Sequence, residues 1–176
     1  APRGLLAPRI AVNVSPLQLR RRDFVERVRE AVVLDQAAPG IDLEITETLI
    51  MEDIEDNIVK LRELHAMGLS IAIDDFGTGY SSLRYLAKLP VQTLKIDRAF
   101  VITMLGDADT MTLVSTVIAL AHSLRLKVVA EGVDAEEQAA VLHALQCDEM
   151  QGFLFSRPVP LPDVQQMLMA GAAAPL

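Results

Sequence analysis

Short apolar runs recur along the chain at residues 10–14, 43–46, 70–73, 93–96, 127–130 and 150–155. Each ends in polar or acidic residues and gives way to a helical pattern, which reads as six βα units. Ile54, Ile58, Leu61 and His65 fall on one helix face ahead of Gly68, a residue suited to the left-handed position that closes a helix. Val114, Val117, Ile118 and Ala121 form a second such face. Asp134, with Glu137 three residues on, predicts the N-cap of a helix after Val133. Pro90 ends a helix that begins near Ser81, and a closing helix is expected over 163–169, behind Pro158, Pro160 and Pro162. No repeat at a solenoid period and no linker interrupts the pattern, and only the Ala-rich tail 170–175 is of low complexity.

Strands that alternate with helices pair in parallel through right-handed crossovers, in a doubly wound sheet or in a (β/α)₈ barrel. The position of the polar groups separates the two. An open sheet gathers its ligand at one switch point, whereas every strand of a barrel delivers its carboxyl end to a single site. Here Asn13, Glu44 and Glu47, Asp74 and Asp75, Lys95 and Asp97, Glu131 and Gln151 stand at the ends of successive runs, which favours an α/β fold of the TIM-barrel type. Such a barrel takes about 200 residues or more and eight strands. Six units in 176 residues leave two unaccounted for, and the expected place of the deficit is the N-terminal side, since the first run starts at Ile10.

Composition agrees with one core of buried strands: 51% of the residues are hydrophobic, mean hydropathy is +0.31, and there is no Trp. The longest apolar stretch, 113–121, is well short of the roughly 20 residues of a membrane span. Residues 1–10 show no signal-peptide core. A lone Cys147 cannot form an intrachain disulfide, which fits a cytoplasmic domain, with membrane tethering of a parent protein left open. Net charge −8 has the wrong sign for a protein that grips long nucleic acid. A small phosphate ligand would need a metal as intermediary.

Adjacent carboxylates at Asp74 and Asp75 repel each other unless a cation lies beside them, and hard divalent cations take such oxygen ligands. Asn13, Glu44 and Glu131 add further oxygens at other strand ends, a donor set suited to magnesium or manganese. Lys95, between Leu94 and Ile96, either pairs structurally with these acids or positions a water and offsets phosphate charge. The competing role for Asp74 and Asp75 is to cap the helix from Ser81. Asp74 does not head a kinase magnesium loop, because the chain has no glycine-rich phosphate loop and no His-Arg-Asp segment. His65, His122 and His143 have no partner ligand at helical spacing, and Cys147 reads as a small core residue.

The segments Asn13-Val14-Ser15, Glu44-Ile45-Thr46-Glu47, Asp74-Asp75-Phe76-Gly77-Thr78-Gly79, Lys95-Ile96-Asp97, Ala130-Glu131-Gly132-Val133 and Gln151-Gly152 resemble, in order, the motif series of EAL domains. The resemblance spans nearly the whole chain. It implies a barrel that hydrolyses one phosphodiester bond of cyclic di-GMP to the linear dinucleotide pGpG in bacterial second-messenger signalling, using two magnesium or manganese ions. It implies Asn13, Glu44 and Asp74 as ligands of one ion, Asp74 as a bridge, and Asp75 and Glu131 for the other. Lys95, Asp97 and Glu131 take the catalytic roles, with Lys95 orienting the attacking water. Gln151 and Asp134 are supporting groups, and Glu47 anchors the loop that holds Gly77, Thr78 and Gly79, a segment tied in the family to metal binding and dimerisation. A homodimer and flanking sensory or GGDEF domains in the parent protein are further expectations.

Two departures bear on activity. The family's usual Glu after Gly-Val is Asp134 here, one methylene shorter, and the Glu-Ala-Leu segment that names the family does not occur in the 176 residues. Residues 1–176 therefore read as an EAL domain without its first two strands, and this chain alone is expected to hydrolyse cyclic di-GMP poorly or not at all. The alternative functions are a catalytically inactive domain that senses cyclic di-GMP and a dimeric interaction module. The intact set of acids and Lys95 favours the enzyme.

Overall fold

A computed structural model describes residues 9–35, 40–77 and 83–169. Six strands, β1 (Ile10–Asn13), β2 (Ile41–Thr46), β3 (Ser70–Phe76), β4 (Thr93–Ile96), β5 (Lys127–Glu131) and β6 (Glu149–Gln151), form one parallel sheet in sequence order. Between them lie α1 (Pro16–Leu19), α2 (Phe24–Asp35), α3 (Glu47–Glu52), α4 (Ile54–Ala66), α5 (Leu83–Leu86), α6 (Arg98–Thr103), α7 (Ala108–Ser123) and α8 (Glu136–Ala144), and α9 (Leu161–Met169) follows β6. No helix of the described residues is long and apolar enough to cross a membrane.

The sheet is two-sided in its chemistry because the side chains of a strand alternate. Leu43 and Ile45, Ile71 and Ile73, Leu94 and Ile96, and Val128 and Ala130 point to the helical layer and are buried. There they meet Leu61 and Leu64 of α4 and Val114, Ile118 and Ala121 of α7 in one core. Alternating with them, Ala11, Asp42, Glu44, Ala72, Thr93, Lys95, Val129, Glu149 and Gln151 line a concave cavity of about 930 Å³. Residues of β1 and β6 face the same cavity, so the sheet curls into a half-barrel.

Several boundaries differ from the sequence pattern. The buried residue near the end of α4 is Leu64, while His65 is exposed; Gly68, at φ 90, closes the helix as expected. The helix before Pro90 is described over Leu83–Leu86 and ends at Leu86, ahead of the proline, and Ser81, its expected start, lies outside the described residues. Asp134 is not the N-cap of α8. The helix starts at Glu136, and the Gln138 side chain accepts from the N–H groups of Asp134 and Ala135, leaving the Asp134 carboxylate for other partners. Finally, β6 stops at Gln151, because Gly152 presses against the Val133 backbone and Leu154 N–H turns to Val133 O.

Candidate active site

The carboxyl ends of the strands bring the acids together. Register pairs Asn13 with Glu44, Thr46 with Asp74 and Glu131 with Gln151, so these residues form a rim along one edge of the sheet. Lys95 rises from β4 into its middle. Its Nζ lies 2.6 Å from Glu44 Oε1, 2.6 Å from Glu131 Oε1 and 3.2 Å from Asp74 Oδ1, and the residue is only 5% exposed.

Asp74 and Asp75 share the site because β3 is irregular. Ile73 pairs with Leu94 and Phe76 with Ile96, so two residues of β3 oppose Lys95 alone on β4. This is the two-against-one count of a β-bulge. Asp75 takes the left-handed backbone conformation, φ 53, which a non-glycine residue rarely adopts. Through this extra residue the Asp74, Asp75 and Glu131 carboxylates come within 4.8 Å of one another.

Charge in this cluster is out of balance. Burial lowers the Lys95 pKa, but the hydrogen bonds to Glu131 and Glu44 and the charges of Glu131 and Asp74 outweigh it and raise it above the ordinary value. Lys95 is therefore a fixed cation at neutral pH. Glu131 also moves up: burial is the main cause, opposed by Lys95 and reinforced by Asp74 and Glu44. One ammonium shared among several acids compensates none of them fully. Asp75 is raised by burial and by the neighbouring charges of Asp74 and Asp97. Asp74 Oδ1, although near Lys95, accepts no hydrogen bond among the described residues.

These features fit divalent cations. Glu44, Asp74 and Glu131 surround Lys95, Asp75 lies within 4.8 Å of Asp74 and Glu131 with the Asp97 charge beside it, and the donor set is all oxygen. Asn13, at the exposed end of β1 beside Glu44, can add a neutral oxygen.

The surrounding groups have defined partners. Glu47, first residue of α3 and 1% exposed, accepts the Gly77 N–H at 2.9 Å. Gly77 itself has φ 98, and a Cβ there would stand 3.0 Å from the Phe100 ring. Thr78 and Gly79 lie outside the described residues. Asp97 caps α6, accepting from Ala99 N–H at 2.8 Å. Gln151 is exposed at the end of β6. Asp134 binds Arg98 at 2.8 Å with one oxygen and the Phe153 N–H at 3.1 Å with the other. Sequence reading passed over Arg98 and Phe153; their signal was adjacency, since Arg98 follows Asp97 and Phe153 stands two residues past Gln151. His122 pairs with Asp148 at 2.9 Å, away from the rim, and burial pushes the Cys147 thiol up to about 11, which makes it unreactive.

The EAL domain family model matches residues 3–158. The bifunctional diguanylate cyclase/cyclic di-GMP phosphodiesterase MucR of Pseudomonas aeruginosa is 47% identical over 152 residues, which is 86% of this chain. The cyclic di-GMP phosphodiesterase NbdA of the same organism is 44% identical over 174 residues, or 96% of the chain. The chain spans 22% of the length of each of these two relatives. Among solved structures, the PaMucR phosphodiesterase in its c-di-GMP complex superposes with a TM-score of 0.86 at 46% identity, covering 89% of this chain and 64% of that one. The EAL domain of Mycobacterium smegmatis DcpA gives 0.85 at 43% identity, covering 93% and 74%.

Proposed function

The chain belongs to the EAL domain family, and on that premise we propose that it is the site-bearing part of a phosphodiesterase that opens cyclic di-GMP to the linear dinucleotide pGpG. The observation that carries this reading is the convergence of Glu44, Asp74 and Glu131 on Lys95, with Asp75 within 4.8 Å of Asp74 and Glu131. A site kept for binding alone has no need of so many uncompensated acids, which supports hydrolysis over the sensor reading. The names of MucR and NbdA support the same substrate.

Asn13, Glu44 and Asp74 would hold one divalent ion, magnesium or manganese, and Asp75 and Glu131 the other, with Asp74 between them. Two such ions supply acidification of a water and positive charge opposite the phosphate oxygens. Lys95, a cation throughout the neutral range, acts as a donor that orients the water and not as a base. Asp97 supports Asp75, Gln151 supports Glu131 at the same level of the rim, and Glu47 holds Gly77 and the loop beyond it.

A homodimer, a cytoplasmic location and flanking sensory or GGDEF domains complete the reading. The bifunctional name of MucR and the 22% share of its length support the last of these. The test is incubation of the intact protein with cyclic di-GMP and manganese, with products separated by chromatography. Release of pGpG is expected. Tight binding with no product would replace hydrolysis by the sensor reading, and neither binding nor product would overturn both.

A further inference from the structure

A second network joins three loops of the rim. Arg98 begins α6 directly after Asp97, and its Nη2 donates to Asp134 Oδ2 at 2.8 Å. The other oxygen of Asp134 accepts the Phe153 N–H at 3.1 Å. A single carboxylate thus ties the turn after β4 to the segment after β5 and to the loop after β6. The Arg98 guanidinium also stands 6.0 Å from the centre of the Phe153 ring.

Two glycines make the arrangement possible. Gly132 has φ 69, and a Cβ there would lie 2.1 Å from Arg98 Cγ and 2.7 Å from its Cδ, so the arginine stem rests directly on the Gly132 backbone. At Gly152 a Cβ would lie 2.1 Å from Val133 O, so the β5 and β6 loops touch backbone to backbone. Three members of the network stand one or two residues from a site residue: Arg98 from Asp97, Gly132 from Glu131, Phe153 from Gln151.

Energy is not what this pair contributes. The side chains of Arg98 and Asp134 are 54% and 32% exposed, and an exposed ion pair contributes little to stability. Its geometry, by contrast, fixes three loops against one another, and a displacement of about 1 Å in a catalytic group can cost up to 100-fold in rate. We propose that Arg98 is a positioning residue: through Asp134 and the Gly132 seat it sets the aim of Asp97, Glu131 and Gln151. This rests on the phosphodiesterase reading of the acids.

The experiment uses the intact protein with Arg98→Met, which keeps the stem and removes the guanidinium. The expected result is kcat lower by about tenfold, KM within about twofold, and manganese affinity of the substrate-free protein weaker by about threefold, with little change in melting temperature. Arg98→Lys should recover most of the kcat. Should Arg98→Met not fold, Asp134→Asn carries the same test, because it retains an acceptor for Phe153. The two changes together should cost no more than either alone. A folded Arg98→Met with unchanged kcat and manganese affinity would overturn the proposal. So would a rise in KM alone, which marks a substrate contact, or additive losses in the double variant. An inactive wild type would instead sink the phosphodiesterase reading, and manganese affinity would then decide this inference by itself.

Discussion

Lys95 and Glu131 meet at 2.6 Å across neighbouring strands, yet the pKa of the carboxylate is raised and not lowered. The ammonium is divided among Glu44, Asp74 and Glu131, and burial outweighs the share that Glu131 receives. Lys95 thus stands where negative charge is in excess, as a placeholder for part of the cationic charge the acids require.

Lys95→Ala should therefore separate stability, metal affinity and turnover. Without metal the variant should lose on the order of 3 kcal/mol, the cost of leaving buried acids without their cation. Manganese should bind at least as tightly as in wild type and restore the melting temperature. Turnover of cyclic di-GMP should fall by about 100-fold or more, since the lost donor acts on the reacting groups. Calorimetry and melting curves with and without manganese check the first two parts; manganese affinity falling together with activity would count against the water-orienting role.

Glu47→Ala should loosen the start of the loop after β3. Gly77 N–H loses its acceptor, which costs on the order of 1 kcal/mol for a half-buried donor. Hydrogen exchange at the Gly77 amide should quicken by at least tenfold while the strand cores stay protected. Glu47→Gln, which keeps a side-chain oxygen, should be milder. An amide that remains equally protected in the alanine variant would remove the anchoring role.

Much of this site was legible because strand ends announce themselves: an apolar run followed by an acid or amide puts Glu44, Asp74, Lys95 and Glu131 on one rim once the strands are parallel. What stayed hidden depended on contacts far apart in sequence. Asp134 carries a helix-capping pattern, yet Arg98 and the Phe153 N–H claim its carboxylate and Gln138 takes over the cap. The run 150–155 looked like one strand, but a close backbone approach at Gly152 ends it after Gln151. The irregularity at Asp74 and Asp75 has no local signature, because two acids in a row look alike whether they alternate or share a face.

Asp148 gives the fold a sensitivity to acid apart from the active site. Burial acts to raise its pKa, but hydrogen bonds from His122 and the Val128 N–H prevail and hold it below the ordinary value of 3.8. A depressed carboxylate contributes stability that is present above its unfolded value and is lost as pH falls through its folded one. The group is partly exposed, so the contribution is less than about 1 kcal/mol. Asp148→Asn should lower the melting temperature slightly at pH 7, by an amount that shrinks as pH falls and the carboxylate is protonated; an equal loss at every pH would show that its charge is not involved.

Gly152→Ala should be among the most damaging small changes. The added methyl meets Val133 backbone atoms at 2.1–2.6 Å, and backbone cannot swing aside as a side chain can. Overpacking of this kind costs about 1–3 kcal/mol or more. Melting curves should report that loss, with manganese affinity reduced as the β5 and β6 loops part; a variant as stable as wild type would mean that the two loops separate freely.

The extra residue in β3 works like a skipped beat in a two-beat rhythm. Ile73 before it and Phe76 after it both face the helical core, so the skip leaves the phase of the strand intact on either side and doubles only what faces Lys95. Substitution alone cannot undo that count, since any pair of residues at 74 and 75 would still oppose one. Removing a single residue there would leave an ordinary strand with its core contacts in register and half of its charge gone. The number of acids offered at this point is thus written in chain length and not in residue identity, and a lineage can add or shed such a ligand by insertion or deletion with the core left undisturbed.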